Sequence, residues 1–153
     1  MNDRFKFRVF YKPHNTIYNV ICLNSDRQKE IIIEYKDSTA LVEWKDCDIL
    51  QCTGLKDKNG KLIYEGDIIV MPNQYPFYDQ ENKGEYKLNY VGIVEWIHSQ
   101  WQYVYHCVNS NIRGISDGIN NGLNDYGWDE NENTEYLILG NIYENKELLN
   151  ERN

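Results

Sequence analysis

Alternating apolar and polar positions dominate the beginning of the chain. From Arg4 to Tyr11, one face of an extended segment is apolar or aromatic, and the other carries three basic residues and Phe10. A period of two predicts a half-buried β-strand. A turn at Pro13–Asn15 and a second alternating run over Ile17–Leu23 complete a predicted N-terminal β-hairpin.

Short apolar runs bounded by turn residues continue the β pattern. Strands are predicted at Glu30–Tyr35, Leu41–Trp44, Ile49–Cys52, Ile68–Met71, Val91–Ile97, Trp101–Val108 and Glu135–Leu139. The connector His98–Gln100 makes the strands beside it the clearest hairpin. A Gly-Asp step precedes one apolar strand, and in Val91–Trp96 a glycine allows sharp coiling while apolar side chains can fill an interior. This pattern favours a small SH3-like or related bent barrel over residues 66–108.

The polar segments define the predicted organisation, a mainly β single domain over residues 1–153 with a short C-terminal helix. It is divided into an N-terminal β lobe (1–52), a barrel-like core (53–145) with long loops at 71–90 and 109–134, and a short helix or tail (146–153). Asn145 is placed to cap that helix. Asn59 and Gly60 predict a tight turn with positive φ.

Composition places the chain among compact globular proteins. Its 153 residues, 41% of them hydrophobic, can bury a core without a disulfide or a metal, and exclude a disordered chain. No apolar run approaches the length of a membrane span, and the first residues do not resemble a signal peptide. We therefore expect a cytoplasmic protein without a cofactor.

The charge is negative overall and unevenly distributed. The net charge of −8 disfavours non-specific binding to phosphate backbones. Residues 1–12 hold four basic residues against one acidic residue, a balance of +3, whereas residues 114–153 hold two against nine, a balance of −7. Solubility, with mutual attraction of the two ends, is the simplest interpretation.

The four cysteines predict free thiols. Cys22, Cys47, Cys52 and Cys107 occur in a chain large enough to fold without cross-links, and a reducing cytoplasm is the default. Cys47 and Cys52, together with the adjacent His106 and Cys107, lack the paired spacing of a structural zinc site. We expect no metal.

Three segments resemble one protein family. Thr53–Lys61 followed by Ile63–Ile69 closely resembles the central motif of the YopX family, Leu139–Asn145 resembles its closing motif, and Lys6–Val9 is similar to its basic-aromatic start. Residues 71–90 and 109–134 are longer than the family norm, and Lys146 stands where Pro is common.

The resemblance implies a phage or prophage origin and a mostly β fold, and it supplies no established activity, ligand or catalytic residue. Within these segments we assign structural roles to Thr53, Gly54, Asn59, Gly60, Glu65, Gly66, Asp67, Gly140 and Asn141.

The carboxyl groups of Glu65 and Asp67, near Asp57, are candidates for metal binding or acid–base chemistry. Because they flank Gly66 in a turn before a strand, we favour a structural interpretation, in which Asp67 accepts backbone hydrogen bonds and shapes the turn.

Aromatic residues supply the candidate binding surfaces. Trp101, Tyr103 and Tyr105 alternate on one strand with Trp96 on its neighbour, which suits a core, a protein-binding surface or a platform for stacked bases. The acidic loop carries two further aromatic residues that could anchor a partner. The candidate protein-binding residues are Trp96, Trp101, Tyr126 and Trp128, and the candidate nucleic-acid-binding residues are Arg4, Lys6, Arg8 and Tyr103.

Three functions remain open on the sequence. The leading hypothesis is a non-enzymatic accessory protein that binds a host or phage protein. The first alternative is a nucleic-acid-binding module that uses the basic N-terminal strand. The second is a small hydrolase or nucleotide-binding protein around His98 and His106, although no nucleophile elbow, zinc-protease, phosphate-loop or dinucleotide motif occurs.

Overall fold

The computed structural model describes residues 5–24, 30–70, 90–97, 100–107, 120–122 and 136–149. Eleven strands in this part form two antiparallel sheets. The strands are β1 Phe7–Tyr11, β2 Thr16–Asn24, β3 Glu30–Tyr35, β4 Ser38–Glu43, β5 Cys47–Lys56, β6 Leu62–Tyr64, β7 Asp67–Val70, β8 Tyr90–Ile97, β9 Gln100–Cys107, β10 Asn120–Gly122 and β11 Leu137–Asn141.

The first sheet has the order β4-β3-β2-β1-β5-β6. It contains the predicted N-terminal hairpin, in which Val9 pairs with Tyr18. Its own core buries Val9, Ile31, Ile33, Val42 and Cys47. Those strand residues point to one face because side chains alternate along a strand.

The second sheet has the order β10-β9-β8-β7-β11. The β8–β9 hairpin confirms the prediction made from its short connector, since Ile97 pairs with Gln100 and Trp96 with Trp101. A second core joins the two sheets: Leu55 and Ile63 come from the first, and Ile69, Val94, Trp101 and Tyr136 complete it.

The two-residue turn Glu65–Gly66, which we call the seam turn, lies where the sheets meet. The Glu65 N–H donates to the Gln51 carbonyl in β5 at 2.9 Å, and the Gly66 N–H donates to the Val94 carbonyl in β8 at 2.8 Å. Neighbouring amides are thus fixed to different sheets. The first sheet extends to Tyr64, the last residue of β6.

Several local predictions differ from the structure. Gly60 has the positive φ of 80°, but Asn59 does not, because Asp57–Gly60 closes through a Gly60 N–H bond to the Asp57 carbonyl. The C-terminal helix is a 3-10 turn over Lys146–Leu149. The region 109–134, predicted as a loop, contains β10.

Candidate functional site

An open cleft of about 400 Å³ lies beside the seam turn, between β1 and β2 of the first sheet and β11 of the second. Its charged and amide side chains are Arg8, Asn19, Lys61, Asp67, Asn141, Glu144 and Asn145; its apolar side chains are Ile17, Ile138 and Leu139. The cleft therefore presents both signs of charge, amide groups and a small apolar surface.

Asp67 forms the buried end of the cleft. Its side chain accepts a hydrogen bond from the Tyr64 N–H at 2.8 Å on Oδ2 and from Asn141 Nδ2 at 3.1 Å on Oδ1. Burial raises the pKa of Asp67, while these two hydrogen bonds and the nearby Arg8 and Lys61 charges act in the opposite direction. Asp67 accepts a backbone bond and shapes the turn, as the sequence predicts.

Gly66 and Gly140 allow the close approach of backbone segments beside the cleft. Gly66 has a φ of +77°, which disfavours a residue with a side chain, and its carbonyl accepts the Ile142 N–H at 2.9 Å. A Cβ on Gly140 would lie 2.5 Å from Asn145 Oδ1. Glycine at residue 140 thus makes room for the Asn145 side chain.

The segment that follows β11 is held by its own amide groups. Asn141 Oδ1 accepts the Tyr143 N–H at 3.1 Å, and Asn145 Oδ1 accepts the Asn141 N–H at 3.1 Å. Asn145 directly precedes the 3-10 turn, as predicted, and its carbonyl accepts the Leu148 N–H at 3.1 Å, but its side-chain oxygen bonds backward to residue 141.

Two contacts carry this segment across to the first sheet. Glu144 Oε1 accepts the Ile17 N–H at 2.8 Å, and the Tyr143 ring stacks on Phe10 with centroids 4.4 Å apart. The segment after β11 is thus joined to β1 and β2 beside the cleft.

Arg8 is engaged within the protein. Its guanidinium carbon lies 4.0 Å from the centre of the Tyr64 ring, and its Nε donates to Asn19 Oδ1 at 3.3 Å. Asn19 in turn donates from Nδ2 to Glu34 at 2.9 Å. Arg8 therefore forms part of a fixed wall, while Lys61 offers a more exposed cation.

The other carboxyl groups near the motif have distinct environments. Asp57 Oδ1 accepts the N–H groups of Asn59 at 2.9 Å and Lys61 at 2.8 Å, so it holds the β5–β6 turn. Glu65 is partly buried, and burial raises its pKa.

Thr53 Oγ1 donates to the Ile63 carbonyl and accepts the Leu55 N–H, both at 3.0 Å. In the described part of the chain, no three His, Cys, Asp or Glu side chains gather as metal ligands.

The aromatic candidates are separated by burial. Trp101 is 8% exposed and belongs to the core, whereas Trp96 is 54% exposed and meets it edge to face at 4.9 Å. Only Trp96 of this pair offers a surface. Tyr103 pairs with Val94 in the backbone register; its side chain, like Arg4, Tyr126 and Trp128, lies outside the described residues. Lys6 is exposed.

The cleft itself was not predicted from the sequence. Its members Ile17, Asn19, Lys61, Leu139 and Glu144 carry no catalytic pattern. The sequence signal that was available is the set of three motif segments that resemble one family. Residues from 6–9, 53–69 and 139–145 all line the cleft.

The thiols and helices add two observations. Among the described residues, Cys22, Cys47 and Cys52 form no disulfide bond, and burial raises the pKa of Cys47. No helix in the described ranges has the length and apolar character that crossing a membrane requires.

Comparison with known proteins gives a family and a similar fold. The family model described as YopX protein matches residues 6–150. The crystal structure of protein EF1440 from Enterococcus faecalis is similar over 94% of this chain and 96% of that one, with 23% sequence identity and a TM-score of 0.50. No curated protein matches the sequence.

Proposed function

Since this chain belongs to the YopX family, we propose that it is a phage or prophage accessory protein that binds a host or phage protein in the bacterial cytoplasm and catalyses no reaction. The observation that carries the proposal is the convergence of the three motif segments on one open cleft. Such a lining suits a protein partner, because polypeptides offer amide groups, both signs of charge and apolar groups together.

The nucleic-acid alternative receives less support from the cleft. Asp67 and Glu144 line it, and the Arg8 guanidinium is already stacked on Tyr64. Phosphates would meet negative charge there. A shift of DNA or RNA mobility at low salt that is lost when Arg4, Lys6 and Arg8 are neutralised together would favour this alternative instead. The hydrolase alternative rests on His98 and on the His106 side chain, both outside the described residues.

We also propose that residues 66–108 form an SH3-like bent barrel. It is supported by the consecutive antiparallel pairing of β7, β8 and β9.

The test uses paired charge reversals on neighbouring residues. Lys61→Glu changes the cleft, while Lys58→Glu makes the same change at an exposed position of the same turn that does not line it. A photo-crosslinking residue at Leu139 first captures partners in host cells carrying the phage. The captured protein, once purified, should bind wild type and Lys58→Glu alike and bind Lys61→Glu at least about tenfold more weakly, since buried interfacial charges strongly affect affinity.

A matching melting temperature for the two variants shows that the fold is intact. Equal binding of the partner by Lys61→Glu and Lys58→Glu would contradict the cleft as its binding site.

A further inference from the structure

Most polar side chains that line the cleft are already hydrogen-bonded inside the protein. Asp67 accepts a hydrogen bond on each of its two oxygens, and Glu144 accepts the Ile17 N–H on Oε1. Each amide side chain of the lining uses both its oxygen and its nitrogen in such bonds; the amides are Asn19, Asn141 and Asn145. These groups therefore hold the fold rather than wait for a ligand.

The two cations of the cleft are different, because most of their hydrogen-bond donors are unused. Among the described residues, no carboxylate forms an ion pair with Arg8 or Lys61, and Arg8 donates only from Nε. The terminal nitrogens of Arg8 and the ammonium group of Lys61 remain available as donors. Both positive charges lower the pKa of the Asp67 carboxyl group, so both act at the same end of the cleft. The unused capacity of the cleft therefore suits a negatively charged acceptor.

The apolar part of the lining indicates what kind of molecule carries that acceptor. Ile17, Ile138 and Leu139 line the cleft as well, and Leu139 is 41% exposed. A protein can place one carboxylate between apolar side chains that cover this surface. A nucleic acid instead carries a phosphate at every nucleotide, and its further phosphates would meet Glu144.

On the premise that the cleft binds a protein, as proposed above, we infer that the partner inserts an acidic side chain flanked by apolar residues, and that its carboxylate pairs with Lys61 and the terminal nitrogens of Arg8. Hydrogen bonds between ionised groups are shorter and stronger than neutral ones. The Arg8 guanidinium carbon lies 4.0 Å from the centre of the Tyr64 ring. Stacking holds the guanidinium in place and leaves its N–H edge for a carboxylate.

Capped tripeptides test this preference on the full chain. Acetyl-Val-Glu-Val-amide supplies the carboxylate between apolar side chains, and the same peptide with a central Gln keeps the shape without the charge. In an NMR titration, the Glu peptide should shift the amide signals of Lys61 and Leu139 at millimolar concentration. Its affinity should exceed that of the Gln peptide at least about threefold and fall with salt. The inference is overturned if the Glu peptide causes no shift, if the two peptides bind equally, or if a short oligonucleotide displaces the Glu peptide at a lower concentration than the peptide needs to bind.

Charge reversal should invert the preference. Lys61→Glu should favour a peptide with a central Lys over the one with a central Glu, because the cleft then lacks its exposed cation. Lys58→Glu, the matched variant outside the cleft, should keep the wild-type order. A damaged fold would weaken the binding of all peptides together, so inversion separates lost charge from lost structure. An unchanged order in Lys61→Glu would contradict the inference.

The protein captured through Leu139 separates this inference from the proposed function. Mass spectrometry of the cross-link identifies the partner segment that lies in the cleft, and this segment should contain an Asp or a Glu. Replacing that acid by Lys should weaken binding to wild type and restore binding to Lys61→Glu. If the partner distinguishes Lys61→Glu from Lys58→Glu but its segment holds no acid, or if the replacement restores nothing, the inference fails and the proposed function stands. If the partner binds both variants equally, the proposed function fails and the inference fails with it.

Discussion

Two buried carboxyl groups, one in the seam turn and one directly after it, make the stability of the fold depend on pH. Burial raises the pKa of both Glu65 and Asp67, which means that the folded state holds their protons more tightly than the unfolded chain does. Asp67 has two hydrogen-bond donors that offset part of this cost. For Glu65, a backbone hydrogen bond from Gln51 opposes the effect of burial, and the negative charge of Glu95 adds to it.

Glu65→Gln should therefore leave the fold intact and remove one source of pH dependence. The unfolded carboxyl group ionises first, near 4.5, so wild type loses stability relative to Glu65→Gln as pH rises from there to the folded pKa. Above that value the difference is constant. Chemical denaturation of both proteins across this range measures it. A wild-type advantage that grows with pH would show that the fold stabilises the Glu65 carboxylate, and loss of partner binding at an unchanged melting temperature would assign Glu65 a functional role.

Strand β1 illustrates how an element can be buried on both sides. Val9 faces the core of the first sheet, while the next residue, Phe10, is 8% exposed and stacks on Tyr143. Phe10 stands on the face that the sequence predicts to be basic. The β1 strand is thus fixed by its own sheet on one side and by the segment after β11 on the other.

Phe10→Ala should accordingly destabilise the protein by about 3–5 kcal/mol, the usual cost of truncating a buried Phe. Phe5→Ala is the matched control: Phe5 is 75% exposed, and its removal should change stability by less than about 0.5 kcal/mol. Urea unfolding of both variants measures the difference. Equal effects would show that the Phe10–Tyr143 stack contributes nothing to stability.

Alternation predicted the strands well wherever one face is apolar. It gave β1, β3 and the β8–β9 hairpin close to their observed bounds. It failed at β5, which continues through Thr53 and Gly54. A glycine in a sequence is a turn signal, whereas in the structure Gly54, with a φ of 84°, lies in a bulge within the strand. It also missed β10, whose Asn-Asn-Gly sequence has no β propensity and which pairs only with β9 among the described strands.

The candidate site was predictable only in part, for a physical reason. Turn residues such as Asp67 and Gly66 indicate local geometry, and the backbone hydrogen bond that Asp67 accepts was predicted. The side-chain partners of Asp67 and Phe10 lie more than seventy residues away, at Asn141 and Tyr143. Local periodicity carries no information about contacts at such separations, so the cleft emerged only from the fold.

The molecule as a whole should unfold as one unit, because the seam turn and Asp67, which Asn141 holds in place, connect both sheets. Asn141→Ala removes a donor to the buried Asp67 carboxylate and an acceptor for the Tyr143 N–H, and should cost about 2–3 kcal/mol. Hydrogen exchange should accelerate together in β3 of the first sheet and β8 of the second. Asn59→Ala, at an exposed residue, is the control. Faster exchange in the second sheet alone would contradict a single cooperative unit.

The bond between Ile17 and Glu144 has a consequence for biosynthesis. It spans 127 positions of the chain, and contacts at such sequence separation form slowly, because a long loop must close first. During translation the N-terminal hairpin emerges early, yet one side of β1 stays uncovered until Tyr143 has left the ribosome. The cleft is consequently among the last features to be assembled, and a chain synthesised only as far as β11 leaves Phe10 without the Tyr143 ring that stacks on it.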